Sequence, residues 1–442
     1  MREPNAADVA ATFAHYEPYG VVPDGWMAQL RRVRESCPVV HSDACGGFWL
    51  VSRHDDVATI LRTPAVFSSA DGITIPHNPG APVMPPIDQD PPLQTEFRQL
   101  LNPYFTAAAV RPYAAVIATL ARQLIDRFAD RGECELTSAF ARPLPALVLG
   151  RSILDVEDPD ALTELQSRVL VISGQNTSEE AAGAWRFLRE YVTAIAAAAR
   201  NRPADGGLVS ALVHGRVAGR RVTELEQVGT LMIIFLGGLG TTADAISTIV
   251  VRLTDDPALA VRLRDPAWVD RDLNELFRHE SPVQWVGRTV TRPVELSGVL
   301  LSPGDRVMAH IGSANQDDAV FEDGGTLDYS RGQTRNLCFG LGPHYCIGAP
   351  LGKLMIRVAF AELLDRVTRL QRDKSVPLNR RDGLSRPFRE LRVTFEAWWV
   401  RGPRLRWSRG IRPGARTPGR SRRPPRHGGI AMARVRRAAA LR

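Results

Sequence analysis

Five cysteines in 442 residues (Cys37, Cys45, Cys134, Cys338 and Cys346) are too few, odd in number and too irregularly spaced to form a disulfide framework. A reducing compartment is therefore the expectation, with at least one thiol free for packing or for chemistry. The paired C-x-x-C of finger-type zinc sites is absent. The chain also lacks a run of about 18 uninterrupted apolar residues, the length needed to span a bilayer. Its first twenty residues (MREPNAADVAATFAHYEPYG) carry no apolar leader core. Together these absences point to the cytoplasm and away from a membrane. There are no internal repeats, and no linker cuts the chain before about residue 398.

Apolar residues make up 44% of the chain and charged residues 24%, which is ordinary for a globular protein with a substantial core. The net charge of +8 is not a whole-molecule property. Residues 401–442 contain 14 Arg, no Lys and no acid, so residues 1–400 keep 42 basic against 48 acidic residues, a net of −6. The expectation is one domain over 1–398 and an Arg/Pro/Gly-rich tail over 399–442. Without apolar periodicity such a tail reads as disordered. A basic tail that binds nucleic acid is the competing reading; it predicts salt-sensitive binding lost on truncation near residue 400.

Along the chain, Met27–Cys37 and Asp55–Arg62 read as helices, with short strands near Pro38–Val40 and Gly47–Ser52. Residues 70–92 (GITIPHNPGAPVMPPIDQDPP from Gly72) form a Gly/Pro-rich loop long enough to be functional. From 93 to about 275 the pattern is mostly helical, with breaks at Arg131–Gly132, Arg202–Gly207 and Asp255–Pro257. Thr223 and Glu226 make a T-x-x-E capping box before a long apolar run. That helix, 223–254, would be roughly 48 Å long at 1.5 Å per residue and, apolar on all sides, must cross the interior. Residues 286–310 read as short strands, 317–345 as irregular and 348–370 as helix. The fold class is mainly α with minor β hairpins.

The segment Phe339-Gly340-Leu341-Gly342-Pro343-His344-Tyr345-Cys346-Ile347-Gly348 carries the most chemical information. Its glycines permit tight turns and close approach to a flat ligand. Cys346 stands just before a helix, whose N-terminal partial charge would favour a thiolate. Two other readings stay open on these residues alone: a buried structural cysteine, or zinc held by Cys338, His344 and Cys346. In Glu275-Leu276-Phe277-Arg278 the spacing of three puts both charges on one helical face. Gln94 and Arg98 share a face at i, i+4, so both can reach one carboxylate. Gly237-Gly238-Leu239-Gly240-Thr241-Thr242 lowers helix propensity in mid-helix, which calls for a reason: a ligand groove or a close helix–helix contact.

The cysteine segment resembles the F-G-x-G-x-H-x-C-x-G signature of the cytochrome P450 superfamily. Further resemblances, in the family's order, cover residues from about 15 to 398. They imply a cytochrome P450 fold with haem b between a long distal helix and a proximal Cys-loop helix. Cys346 is then the iron ligand, with Phe339, Gly348 and Gly238 beside the haem, and Gln94, Arg98, Arg288 and His344 on its propionates. Glu275 and Arg278 correspond to the structural E-x-x-R, with Arg331 as candidate third partner. The resemblance places O2 in a groove at Gly237–Thr242, with Thr241 supplying protons. The acid that usually precedes that threonine is here Gly240; Asp244 is the candidate substitute. Ile73, Ile75, Val83, Met84, Ile87, Ile234, Gly237, Val283, Val286, Pro387 and Phe388 are expected to line an apolar substrate pocket.

The function implied is monooxygenation of a hydrophobic small molecule by a monomeric enzyme. Electrons would come from NAD(P)H through a separate ferredoxin and ferredoxin reductase, since the chain has no flavin or Fe–S motif. Arg335 and Lys353 are candidate ferredoxin contacts. Peroxide-driven or coupling chemistry, motivated by Gly240, is one alternative; a non-catalytic haem sensor is another.

Overall fold

The computed structural model describes residues 6–20, 25–77, 81–156, 158–174, 178–332, 334–378 and 383–397. The tail call at 399–442 lies outside the described residues. Helices dominate, and the longest, Glu224–Asp255, is buried along most of its length. It is long and apolar enough by composition to cross a membrane, yet here it runs through the protein core. Its start is the expected capping box: Thr223 Oγ1 accepts from the Glu226 N–H at 3.3 Å, and the Glu226 carboxylate accepts from the Thr223 N–H at 2.8 Å. Arg220 forks onto the same carboxylate at 2.7 and 2.6 Å, which holds Glu226 down at a pKa of about 2.

The β structure is minor, and the larger sheet carries its own buried core. A five-stranded sheet runs in the order Val39–Ser42, Phe48–Val51, Arg306–Ala309, Val286–Val290, Phe67–Ser68, with one parallel pair between Phe48–Val51 and Arg306–Ala309. A three-stranded antiparallel sheet joins Val367–Arg372, Arg392–Ala397 and Glu133–Glu135. The helix expected over 348–370 therefore ends at Leu364. The β-branched Val367 and Thr368 instead pair with Ala397 and Glu396. Glu133–Glu135 and the hairpin Arg216–Val217/Arg220–Arg221 likewise interrupt the stretch read as helical; only their pairing partners make them strands.

The helix Val269–Glu280 is tied to the irregular stretch that follows by a buried ion pair. Arg278 (0% exposed) donates Nε and Nη2 to Glu275 (1%) at 2.8 and 2.7 Å. It also donates to the carbonyls of Asn315, Gly324 and Thr326 at 2.6–2.9 Å. Arg331 Nε lies 3.4 Å from Glu275 Oε1, the position expected of a third partner.

His310, 0% exposed, caps the short helix Ile311–Ala314: its Nδ1 accepts from the Ser313 N–H at 3.0 Å. Burial, with Arg386 and Arg34 nearby, pushes its pKa down from 6.5 to about 3. The folded chain therefore keeps His310 neutral while the unfolded chain protonates it. This contribution to stability is complete above pH 6.5 and is lost as pH falls toward 3, at about 1.4 kcal/mol per unit. Urea midpoints taken from pH 7 to 4 are expected to fall less steeply for His310→Asn than for the parent. Parallel slopes would rule the group out as an acid-sensitive site.

Candidate active site

The cysteine loop is built by its own backbone. The Cys346 N–H donates to the Phe339 carbonyl at 2.8 Å and the Gly340 N–H to the Leu337 carbonyl at 2.8 Å, while the Asn315 side chain accepts from the Leu337 N–H at 2.7 Å. Gly340 and Gly342 sit at φ 73° and 70°, a region glycine enters without steric cost. At Gly342 the requirement is also spatial: a Cβ would stand 2.6 Å from the Leu61 carbonyl oxygen and 3.0 Å from Arg62 Cα. The loop is thus seated on the end of the helix His54–Arg62. Gly342→Ala should destabilise the fold by about 1–3 kcal/mol through overpacking and strain. An unchanged thermal midpoint would show that the loop can move off that helix.

Cys346 precedes the helix Ala349–Leu364, which has Pro350 in its first turn, where a missing N–H costs little. Burial pushes the thiol pKa up; the Gly348 and Ala349 N–H groups and the charges of Arg98 and Lys353 pull it the other way. The residue has exposed surface although protein encloses it on nearly every side. Phe339 beside it packs edge-on against Phe277 at 5.3 Å, with Lys353 Nζ 4.8 Å above its ring. Among the described residues no three His, Cys, Asp or Glu side chains gather where they could hold a metal ion, so the zinc arrangement of Cys338, His344 and Cys346 finds no support.

The long central helix packs against the helix Ala349–Leu364. Gly237 is exposed in the middle of this helix, and a Cβ there would meet nothing within 4 Å. Gly238 differs: a Cβ there would stand 3.1 Å from Leu149 Cδ2, a close contact with the helix Pro143–Leu149. The two glycines thus divide the two reasons for glycine in mid-helix. Thr241 Oγ1 donates to the Gly237 carbonyl at 2.7 Å and keeps partly exposed surface. Gly240 and Asp244 are buried.

Two arginines, Arg288 and Arg98, and a neutral histidine, His344, lie beside the cysteine loop. Arg288, 3% exposed, has a single hydrogen bond among the described residues, to the Gly287 carbonyl at 2.7 Å. Burial lowers its pKa to about 10, with Asp90 and Asp88 opposing. His344 is pushed down to about 4 by burial and by Arg288 and Arg98; its Nε2 lies 3.3 Å from Ser69 Oγ. Arg98 Nη1 donates to the Tyr345 carbonyl at 2.7 Å and lies within electrostatic reach of Cys346. An under-bonded buried guanidinium with a second arginine near the same histidine suits an anionic group such as a carboxylate. Gln94 departs from expectation. It is 1% exposed and its amide donates to the Pro343 carbonyl at 2.6 Å, so it clamps the loop instead of facing a ligand.

The expected pocket residues separate. Ile73, Ile234, Val283 and Val286 are partly exposed and Val83 is 58% exposed, so all five have surface to offer. Ile75 and Phe388 do not. Ile75 (1%) is packed with Trp26, Trp285 and Met308, and Phe388 (2%) lies in the main core. Alternating loop sequence cannot tell an inward pocket face from an inward core face. Sequence reasoning missed Ser69 and Asp90: the Ser69 N–H and Ser68 hydroxyl hold Asp90 at 3.0 and 2.5 Å, near Arg288. No sequence spacing links these residues to Arg288.

Comparison with known proteins gives a consistent picture. The family described as Cytochrome P450 matches residues 268–395. Cyclomarin C epoxidase of Salinispora arenicola is 32% identical over 378 residues, 83% of this chain and 95% of that protein. Steroid C26-monooxygenase of Mycobacterium tuberculosis is 32% identical over 79% of this chain and 88% of that protein. The Bacillus megaterium protein CYP109E1, solved in complex with testosterone, superposes with a TM-score of 0.75 at 26% identity, over 88% of this chain and 99% of that one.

Proposed function

The chain belongs to the cytochrome P450 family, a haem-dependent monooxygenase of the bacterial type, and on that premise we propose that Cys346 is its proximal ligand and that it oxidises a hydrophobic small molecule. The observation that carries the reading is the enclosed but open surface of Cys346, on a loop held by Gly340 and Gly342 and beside an under-bonded Arg288. Haem with a thiolate ligand supplies, when bound, the activation of O2 for transfer of one oxygen atom.

The chain's residues supply the rest. Arg98, Arg288 and His344 would hold the propionates, with Ser69 steadying the His344 ring. Gln94 fixes the loop that carries Cys346. Gly237 leaves room on the distal side, and Thr241 holds a hydroxyl there; because its proton is donated to the Gly237 carbonyl, its oxygen lone pairs can accept from a proton donor. No acid stands at Gly240, so the proton path must reach Thr241 by another route, and Asp244, one turn on, is the buried carboxylate on that helix.

Electrons are assigned to NAD(P)H through a ferredoxin and its reductase, with exposed Arg335 and Lys353 as docking contacts. A cytoplasmic monomer of one domain over 1–398 completes the reading. Peroxide-driven chemistry is the second reading, favoured by Gly240. The test is the reduced carbon monoxide spectrum followed by turnover with ferredoxin and NAD(P)H against turnover with peroxide. A thiolate-type spectrum and ferredoxin-supported product are expected. Product with peroxide alone would favour the second reading, and a haem spectrum without the thiolate signature would overturn both.

A further inference from the structure

The central helix contains one more glycine, outside the Gly237–Thr242 segment. Gly229 is buried, and a Cβ there would stand 2.1 Å from the Val83 carbonyl oxygen, 3.1 Å from its carbon and 3.2 Å from Met84 Cα. These are backbone atoms, so no rotamer change could relieve the contact. A helical glycine costs about 1 kcal/mol relative to alanine, and the close approach of a second backbone is the reason it is needed here.

The segment seated on Gly229 is one arm of the 70–92 loop. It is a single turn, in which the Ile87 N–H donates to the Met84 carbonyl at 2.9 Å and the Asp88 carboxylate accepts from the Met84 N–H at 3.1 Å. The other arm is fixed elsewhere: the Gly287 N–H donates to the Ile73 carbonyl at 2.7 Å, and Arg306 donates to the carbonyls of Gly72 and Thr74 at 3.0 and 2.8 Å. The loop is therefore pinned to the sheet at one end and to the central helix at the other. On that helix Gly229, Ile233, Gly237 and Thr241 follow one another at i, i+4 along one ridge. Gly229 is buried under the loop, while Ile233, Gly237 and Thr241 keep open surface. The twelve residues from Gly229 to Thr241 span about 18 Å of helix at 1.5 Å per residue.

We infer that Gly229 is a positioning residue for substrate selection: by seating Val83–Met84 against the central helix, it closes the far end of a pocket that extends along this ridge from Thr241. Such a pocket takes an elongated apolar molecule, with one end at Thr241 and the other under Met84. The inference rests on the monooxygenase reading above and deepens it. A Cβ at 229 would have to push the loop backbone out by more than 1 Å to reach ordinary contact, and would open the end of the pocket.

The test uses the full-length haem protein and two azoles that ligate haem iron: imidazole, too short to reach Met84, and an imidazole carrying a linear aromatic arm of about 12–15 Å, a length chosen to fit within the roughly 18 Å ridge. Affinities are read from the shift in the haem absorption spectrum. Gly229→Ala should weaken the long azole by about tenfold, the scale set by losing one or two apolar contacts. Imidazole affinity and the thiolate-type carbon monoxide spectrum should not change. Gly183→Ala, on a helix where a Cβ meets only Arg186 at 3.9 Å, controls for the helical substitution itself. If Gly229→Ala does not fold, Asp88→Ala releases the same turn from its carboxylate and should show the same selective loss. Equal loss for both azoles, or no loss for the long one, overturns the inference. A parent protein without the thiolate spectrum would instead overturn the underlying reading.

Discussion

Cys346→Ser is expected to abolish the thiolate signature of the reduced carbon monoxide complex and to cut monooxygenation by more than about a hundredfold, beyond the 10–100-fold typical of changing a partner outside the ligand shell. A serine hydroxyl stays protonated at neutral pH, so the electron donation that favours O–O cleavage is lost. The site is also arranged for an anion on this atom. The Gly348 and Ala349 N–H groups point to it, and Arg98 and Lys353 favour its ionised form. Burial opposes these influences, is the largest of them, and pushes the thiol pKa up. Cys338→Ser is the control. That thiol is buried, with its pKa raised by burial and by the neighbouring Cys346, and it is expected to leave the spectrum intact. A thiolate spectrum surviving in the Cys346 variant would refute the assignment.

The sequence was most legible where chemistry or backbone conformation restricts a position to one residue type. Gly340 and Gly342 both take positive φ, and the capping box at Thr223–Glu226 formed as its spacing indicated. Arg331, read as a substitute partner for Glu275, lies 3.4 Å from it. Legibility failed where the deciding atom belongs to a distant segment. Gln94 shares a helical face with Arg98, but that face is occupied by the Pro343 carbonyl, 249 residues away. Ile75 and Phe388 are apolar residues in the expected regions, but their neighbours are core side chains. Gly229 had no local mark at all, because its reason is the Val83 backbone on another element. Spacing reports what one element can present; the tertiary partner decides whether that surface meets ligand, core or loop.

The same dependence on distant partners makes Glu275 a costly single site to change. Glu275→Gln conserves volume and an acceptor oxygen but leaves the Arg278 guanidinium, 0% exposed, without a counter-charge within its bonded shell. Breaking a buried pair from one side costs about 3–5 kcal/mol. Against a total stability of about 5–15 kcal/mol, that removes a large share of the fold's margin. The loss should spread beyond the pair. Glu275 Oε1 also accepts from the Asp328 N–H at 3.0 Å, and Arg278 holds the carbonyls of Asn315, Gly324 and Thr326. Asn315 in turn accepts from the Leu337 N–H at the base of the cysteine loop, so loss of the pair should lower haem retention as well as the urea midpoint. Arg278→Lys keeps the charge but cannot serve all these acceptors, and should approach the same loss at about 1–3 kcal/mol per orphaned group. Arg331→Ala should cost less, about 1 kcal/mol, because its 3.4 Å contact is an ion pair without a hydrogen bond and lies nearer the surface. Replacing both partners, as Glu275→Leu with Arg278→Met, should be less damaging than Glu275→Gln alone, since no buried charge is then stranded. A double variant as unstable as the worse single one would mean that the carbonyl contacts, and not the charge pair, hold the 315–331 stretch in place.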